Sequence, residues 1–252
     1  MPSCAVMWDY DGTLVDSRHR NLSVNRSIVQ RLTDRPWTDF VALQSVAAYD
    51  AAVARCVGWQ DFYQREFGLN GTTVEQAGRL WSEIQLADAT PVPVFDGVAE
   101  ALDALSDLPH GIVSQNAARI ISATLAPSGL GSRFGQVIGY EEVPPGRQKP
   151  APDGLLVCLR SLTDLEPGRA WYVGDHPTDA RCARQASDEL RTRGLDVEVR
   201  SIAVLYGGES PDLWEVQPDA TARTPADIVR IIREDPLCGV GAMAPECEER
   251  TE

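Results

Sequence analysis

Short apolar runs alternate with longer amphipathic segments along most of this chain. Five apolar runs bounded by turn residues predict buried strands at 5–8, 110–114, 136–140, 170–174 and 199–205. Between them, apolar residues at helical spacing predict helices at 96–107, 116–125, 152–162, 177–193 and 225–233. Alternating strands and helices are typical of an α/β fold with a doubly wound, Rossmann-like parallel sheet.

The segment after the first strand has a different pattern, because helical periodicity continues there without strand-like runs. It predicts helices at 21–32, 38–57, 59–67 and 73–87. Pro91, Pro93 and the Asp96-Gly97 turn mark the return to the alternating pattern. We therefore expect a helical domain at 18–90 inserted into a core domain of 1–17 and 91–236, followed by a flexible tail at 237–252.

Composition narrows the class of protein. The chain has 252 residues, of which 43% are hydrophobic and 24% charged, as in an ordinary globular protein. Its formal net charge of −14 argues against a nucleic-acid partner, because phosphate backbones are bound by basic surfaces. No apolar stretch is long enough to span a bilayer and no positively charged leader precedes the first strand. We expect a cytoplasmic protein with no membrane partner.

The six cysteines do not form a recognisable metal site. They show no paired CxxC spacing and no accompanying histidine cluster, so structural zinc is not predicted. Most lie in apolar surroundings, where a reduced, buried cysteine is expected.

The first strand ends in two carboxylates, Asp9 and Asp11, followed by a Gly-Thr turn. Side chains at positions i and i+2 of an extended segment point the same way, so both carboxylates should enter one pocket. Like charges that close together are unfavourable unless a cation lies between them or one carries a proton. The pair therefore indicates a metal site, an acid/base site, or both, although Asp-x-Asp-Gly by itself also suits a plain turn.

Other polar residues fall at the predicted ends of strands. Ser114 ends the second strand, Asp175 ends the fourth, and Asp179 lies one helical turn later. Ligands of such sheets bind beyond the carboxyl ends of the strands. Lys149 stands out because it is the one lysine among 23 basic residues, and its compact ammonium makes a point contact that arginine cannot copy. Taken singly, these residues also suit helix caps and solvated loops.

Together these segments resemble, in order, the four motifs of the haloacid dehalogenase-like (HAD) phosphohydrolases. The matching stretches begin at Asp9 (DYDGTLVDS), Gly111 (GIVSQN), Arg147 (RQKPAPD) and Gly174 (GDHPTD). Within this family the chain resembles the phosphoglycolate phosphatase and β-phosphoglucomutase-like branch, which has a helical C1 cap after the first motif. Many members place Asn directly after the hydroxyl of the second motif, whereas here Gln115 comes between Ser114 and Asn116.

The resemblance implies a phosphatase that acts on a small phosphorylated metabolite through an aspartyl-phosphate. By that resemblance, Asp9 is the nucleophile and Asp11 the acid and base. Mg²⁺ is the implied cofactor, held by the Asp9 carboxylate, the Asp11 carbonyl and the Asp175 carboxylate. The remaining roles are phosphoryl contacts for Ser114 and Lys149, orientation of Lys149 or of a water on the metal for Asp179, and substrate binding for Gly12, Thr13 and Asn116.

Two other functions stay open at this point. A phosphosugar mutase keeps all four motifs and differs in whether sugar or water receives the phosphoryl group. A non-enzymatic receiver domain also combines an acidic pocket, a hydroxyl and a lysine, although the helical insert argues against it. In the family, the cap closes over the site and selects the leaving group, so we expect residues 18–90 to act as a lid.

Since Lys149 is the only lysine, an amine-selective acylating reagent can modify only Lys149 and a free α-amino group. We expect loss of activity to follow acylation of Lys149, because removing one preorganised charge costs roughly 3 to 4 kcal/mol of transition-state stabilisation, about 10² to 10³ in rate. Peptide mass mapping identifies the modified amine, and phosphate with Mg²⁺ should protect Lys149. Full acylation of Lys149 at an unchanged rate would contradict its assigned role.

Overall fold

The structure is a computed structural model that describes residues 3–56, 58–165, 168–208 and 210–238. The chain divides into two compact units. Residues up to Leu14 together with those from Val94 onwards form what we call the α/β unit, and Val15–Pro93 forms the helical unit. The predicted insert, residues 18–90, lies within the helical unit.

The α/β unit is built on a parallel sheet with the strand order β3-β2-β1-β4-β5-β6. Every neighbouring pair of strands is parallel, which confirms the predicted fold class. Trp8, the last residue of β1, lies opposite Ile112 on β2 and Val173 on β4, so the carboxyl ends of these strands lie side by side. The strands are β1 (Ser3–Trp8), β2 (His110–Val113), β3 (Gln136–Ile138), β4 (Gly168–Gly174), β5 (Val197–Val204) and β6 (Ala220–Ala222).

The helical unit has a hydrophobic core of its own. Phe62 and Phe67 meet edge to face at its centre, with ring centroids 5.1 Å apart, a favourable aromatic geometry. Buried residues from every helix of the unit, such as Ile28 and Ala77, complete the core. The helices are α1 (Arg18–Leu32), α2 (Val46–Val53), α3 (Trp59–Phe67) and α4 (Gly71–Ala87).

The predicted helix at 38–57 is wrong in its first half. Two short 3₁₀ turns, Trp37–Asp39 and Val41–Leu43, occupy that stretch, and Phe40 between them is extended. The Phe40 side chain is buried edge to face against Phe67, a contact that local helical periodicity does not reveal. The α-helix starts only after Ser45, whose hydroxyl accepts a hydrogen bond from the Ala48 N–H at 3.1 Å.

The helices of the α/β unit cover the sheet. Buried residues of α7 and α8 pack on one face with Met7 and Tyr172, whereas the alternate residues Val6 and Trp8 are buried on the other face. Within the described residues, no helix has both the length and the apolar character needed to cross a bilayer. These helices are α5 (Val98–Ala104), α6 (Ala118–Leu125), α7 (Asp153–Leu162), α8 (Pro177–Thr192) and α9 (Pro225–Glu234).

A disulfide between Cys4 and Cys238 corrects the expectation that these cysteines are reduced. It joins β1 to the residues that follow α9, across a sequence separation of 234 that no local spacing rule reveals. An ion pair lies beside this disulfide. Arg169 is opposite Cys4 on β4 and contacts buried Asp235 at 3.0 Å. Cys238 is buried, so its position is at odds with a tail that is flexible from residue 237; residues 239–252, with Cys247, lie outside the described residues.

The other described cysteines agree with the sequence. Cys158 and Cys182 are free thiols in the apolar core, and burial raises the pKa of the Cys158 thiol to about 12. Cys56, in the helical unit, is free and half-buried.

We expect reduction of the Cys4–Cys238 bond to lower the free energy of unfolding by about 2 to 4 kcal/mol, because the crosslink restricts the unfolded chain. Urea unfolding with and without a reductant measures the difference. Cys4→Ser should match the reduced wild type and no longer respond to reductant. Cys56→Ser is the control and should keep the full response; a wild type that does not respond would contradict the crosslink.

Candidate active site

Three neighbouring strands deliver polar residues to one edge of the sheet. Asp9 follows β1, Ser114 follows β2 and Asp175 follows β4. The backbone continues the ladder at these positions: the Asp9 N–H donates to the Val173 carbonyl at 2.8 Å, and the Ser114 N–H donates to the Ile138 carbonyl at 2.9 Å. Strand register therefore fixes the backbone position from which each of these side chains extends.

Three carboxylates converge at this edge. Asp9, Asp175 and Asp179 each offer one oxygen, and these oxygens lie within 4.8 Å of one another. Asp9 and Asp179 are buried and Asp175 is half-buried. A cluster of oxygen ligands without nitrogen or sulfur suits a hard divalent cation such as Mg²⁺.

The Lys149 ammonium lies between two of these carboxylates. Its Nζ is 2.9 Å from Asp9 Oδ1 and 2.7 Å from Asp179 Oδ1, and the residue is only 8% exposed. The other oxygen of Asp179, Oδ2, accepts the backbone N–H of His176 at 3.0 Å. Because both oxygens of Asp179 are engaged, this residue is placed to orient Lys149, and Asp9 and Asp175 are better placed to bind a cation.

Burial and mutual repulsion set the charges of the cluster. Burial is the main cause that raises the pKa of Asp9; Lys149 opposes it, Asp179 adds to it, and the pKa reaches about 7. Burial also raises the pKa of Asp175 well above its ordinary value, and the Asp9 charge raises it further. Burial would lower the pKa of Lys149, but Asp179 and Asp9 outweigh burial and hold it above its usual range. Lys149 therefore stays charged.

Asp11 is held by Asn116. The Asn116 Nδ2 donates to Asp11 Oδ2 at 3.1 Å, while Asp11 Oδ1 is buried without a hydrogen-bond partner among the described residues. The Asn116 backbone N–H donates to the Ser114 Oγ at 3.2 Å, which leaves the hydroxyl proton of Ser114 to donate elsewhere. The extra residue in this motif, Gln115, donates from Nε2 to the Lys149 carbonyl at 2.7 Å and so ties this loop to the lysine loop.

The turn after Asp11 packs directly against Asp175. Gly12 has φ +76°, and a Cβ at this position would overlap the Asp175 carboxylate. The fully buried Thr13 donates from its hydroxyl to Asp175 Oδ1 at 3.4 Å. In this arrangement Gly12 and Thr13 support a carboxylate, and their predicted role in substrate binding stays a prediction.

All nine predicted site residues are joined by contacts at this edge, and their individual roles stay predictions. One residue that sequence reasoning missed is Tyr206, whose hydroxyl donates to the Thr13 carbonyl at 2.7 Å. Tyr206 follows the end of β5, so the rule about carboxyl ends of parallel strands could have pointed to it. The residues brought together are Asp9, Asp11, Gly12, Thr13, Ser114, Asn116, Lys149, Asp175 and Asp179.

Comparison with known proteins identifies the family of this chain. The sequence profile of the haloacid dehalogenase-like hydrolases matches residues 5–187. A phosphoglycolate phosphatase of Synechococcus elongatus is 28% identical, with 91% of this chain and 97% of that protein covered. Pyrophosphatase PpaX of Listeria innocua is 25% identical, with 91% and 96% covered.

Solved structures show the same fold. CbbY from Rhodobacter sphaeroides, in complex with xylulose-(1,5)bisphosphate, superimposes with a TM-score of 0.65 at 17% identity and covers 90% of this chain and 96% of its own. A haloacid dehalogenase-like hydrolase from Streptococcus pneumoniae has a TM-score of 0.65 at 19% identity, with 91% and 98% covered. At such identities the likeness concerns the fold alone.

The raised pKa of Asp9 predicts an unusual pH dependence of stability in the metal-free protein. Between the ordinary value of 3.8 and about 7, the folded state binds more protons at Asp9 than the unfolded state does. The contribution of Asp9 to the free energy of unfolding is therefore present at low pH. It is lost as the pH rises through that window, by roughly 3 to 5 kcal/mol in all.

Urea unfolding of the wild type and of Asp9→Asn in chelator, at intervals from pH 4.5 to 7.5, measures this effect together with the part of the Asp175 shift that the Asp9 charge causes. We expect the stability of the wild type relative to the variant to fall as the pH rises, because the amide does not titrate. Mg²⁺ should reverse the fall, since a cation favours the ionised carboxylate. Parallel pH profiles for the two proteins would mean that Asp9 ionises normally.

Proposed function

The chain belongs to the haloacid dehalogenase-like hydrolases and is a phosphohydrolase, and from that premise we propose that it hydrolyses a small phosphomonoester with the help of Mg²⁺. The observation that carries the proposal is the pairing of Asp9 with the buried ammonium of Lys149, beside the carboxylate of Asp175. A nucleophile, a cation and an acidic metal site then share one edge of the sheet.

Asp9 acts as the nucleophile in this proposal. A carboxylate oxygen of Asp9 attacks phosphorus, the bond from phosphorus to the leaving oxygen breaks, and an aspartyl-phosphate forms. Asp11 gives its proton to the leaving oxygen. In the second step of the reaction, Asp11 takes a proton from water as that water attacks phosphorus. The bond from phosphorus to the Asp9 oxygen breaks and phosphate is released.

The environment of Asp11 suits this double use. Asn116 holds one carboxylate oxygen, and the other oxygen is buried without a hydrogen-bond partner among the described residues. An acid and base needs one oxygen fixed for orientation and one left to exchange a proton. We therefore assign Asn116 to the orientation of Asp11, in place of the predicted contact with substrate.

Ser114 and Lys149 stabilise the transferring phosphoryl group. Phosphoryl transfer depends mainly on positioning and on balancing the charge of the phosphoryl oxygens. The Ser114 hydroxyl has its proton available for one of these oxygens, and the Lys149 ammonium already touches the nucleophile at 2.9 Å. Both groups are buried, where such interactions are stronger than in water.

The carboxylates of Asp9 and Asp175, whose oxygens lie in one cluster, fit Mg²⁺, because this ion prefers oxygen ligands; the carbonyl of Asp11 is the third ligand in this proposal. A bound Mg²⁺ would neutralise charge on the phosphoryl oxygens. The close packing of Gly12 on Asp175 supports this assignment of metal ligands, since only glycine lets the turn approach the Asp175 carboxylate so closely.

Water is the proposed acceptor of the phosphoryl group. The relatives named above include a phosphatase and a pyrophosphatase, which both hydrolyse their substrates, and this supports water over a sugar acceptor or a non-catalytic receiver. Product analysis with a hexose phosphate separates hydrolysis from transfer. A panel of small phosphorylated compounds that includes 2-phosphoglycolate and pyrophosphate tests the substrate class.

We expect Mg²⁺-dependent release of phosphate from an aryl phosphate, and we expect Asp9→Asn to reduce it to background, because an amide cannot serve as the nucleophile. A colorimetric assay with and without chelator measures both effects. Circular dichroism checks that the variant is folded.

Asp188→Asn is the matched control. Asp188 is exposed on α8 and pairs with Arg191, so its loss should leave the rate unchanged. Undiminished turnover by Asp9→Asn, or by the wild type in excess chelator, would overturn the proposed function.

A further inference from the structure

Tyr206 lies at the point where β5 ends, beside the turn that follows the proposed nucleophile. Its hydroxyl donates to the Thr13 carbonyl at 2.7 Å, across a sequence separation of 193 residues. Its ring packs edge to face on Phe95, with ring centroids 5.0 Å apart. The backbone next to it is equally close: a Cβ on Gly207 would lie 3.1 Å from the Gly12 carbonyl oxygen. The end of β5 therefore supports the Gly12–Thr13 turn directly.

Thr13 passes this support on to Asp175. Its carbonyl accepts from Tyr206, and its hydroxyl donates to Asp175 Oδ1 at 3.4 Å. Thr13 is fully buried and Gly12 packs against the same carboxylate, so the turn has little room to shift without disturbing Asp175. A displacement of the Thr13 carbonyl would move both the turn and the carboxylate.

The end of β5, just before Tyr206, is paired with a strand on each side. Ala203 of β5 lies opposite Gly174 of β4, directly before Asp175, and Val204 pairs with Ala222 of β6. The Leu205 N–H adds a further bond to the Ala222 carbonyl at 2.9 Å. Burial, with the Asp175 charge, raises the pKa of Tyr206, so its hydroxyl stays protonated and remains a donor.

We propose that Tyr206 is a positioning residue: through the Thr13 carbonyl it holds the Gly12–Thr13 turn against Asp175 and thereby sets the geometry of the proposed Mg²⁺ ligands. The proposal rests on the proposed function only in taking Asp9, Asp11 and Asp175 as those ligands. Tyr206 does not touch the reacting atoms in this account. A purely structural hydrogen bond would change the stability of the fold and leave the affinity for Mg²⁺ unchanged.

The test measures Mg²⁺ binding to the metal-free protein by isothermal titration calorimetry, in the wild type and in Tyr206→Phe. The substitution removes the donor and keeps the ring that packs on Phe95. We expect Mg²⁺ affinity to fall roughly 3- to 10-fold, the range of a single hydrogen bond. Turnover of an aryl phosphate at subsaturating Mg²⁺ should fall by a similar factor and should recover in part when Mg²⁺ is raised.

Two further variants separate positioning from a general effect. Tyr63→Phe removes a buried hydroxyl in the helical unit, where that oxygen has no hydrogen-bond partner among the described residues, and should leave Mg²⁺ affinity unchanged. Thr13→Val removes the hydroxyl that reaches Asp175. If Tyr206 acts through Thr13, the double variant should lose less affinity than the two single losses multiplied together.

The outcomes distinguish this proposal from the proposed function. A wild type that binds Mg²⁺ without hydrolysing phosphomonoesters, with weaker binding in Tyr206→Phe, would support the positioning role and overturn the function. Unchanged Mg²⁺ affinity in Tyr206→Phe would overturn the positioning role, whatever the activity. Fully multiplicative losses in the double variant would overturn the route through Thr13, and a wild type that binds no Mg²⁺ would overturn both proposals.

Discussion

The contact between the Lys149 ammonium and the carboxylates of Asp9 and Asp179 is the interaction on which the site depends. Carboxylates packed this closely and out of water repel one another, and desolvation favours their neutral forms. The ammonium compensates part of that charge at 2.9 and 2.7 Å. The chain uses arginine at all its other basic positions, but a planar guanidinium could not replace a compact ammonium between two side chains. Removing Lys149 would leave buried charge without a partner.

Sheet topology explains how residues so distant in sequence reach this ammonium. The strand order reverses direction between β1 and β4, and Asp9 and Asp175 leave the sheet on the two sides of that point. The parallel register brings both to the same edge of the sheet, so the chain needs only short turns to complete the cluster. Gly12 matters for the same reason, because any side chain there would push the first turn away from Asp175.

Much of the fold could be predicted from sequence, because it follows from local patterns: apolar runs that end in polar residues, and helical spacing between them. The candidate site residues came from the order of four family motifs, since taken singly most of them also suit helix caps and loops. What the sequence did not reveal depends on distant partners. Phe40 is extended and packs its ring on Phe67, and Tyr206 donates to the backbone carbonyl of Thr13, a partner that residue types alone do not single out. The strand β6 is only three residues long and exists through its pairing with β5. Cys4 and Cys238 lie almost at opposite ends of the described chain.

The disulfide between Cys4 and Cys238 also changes the connectivity of the molecule, because it closes nearly all of the described chain into a covalent ring. One hydrolysed peptide bond between these cysteines opens the ring and releases no fragment. Exposed loops such as the one around Ser210 can therefore be cut once by a protease while every strand of the sheet stays attached. In reducing surroundings the same cut would divide the chain into two pieces held together only by noncovalent packing.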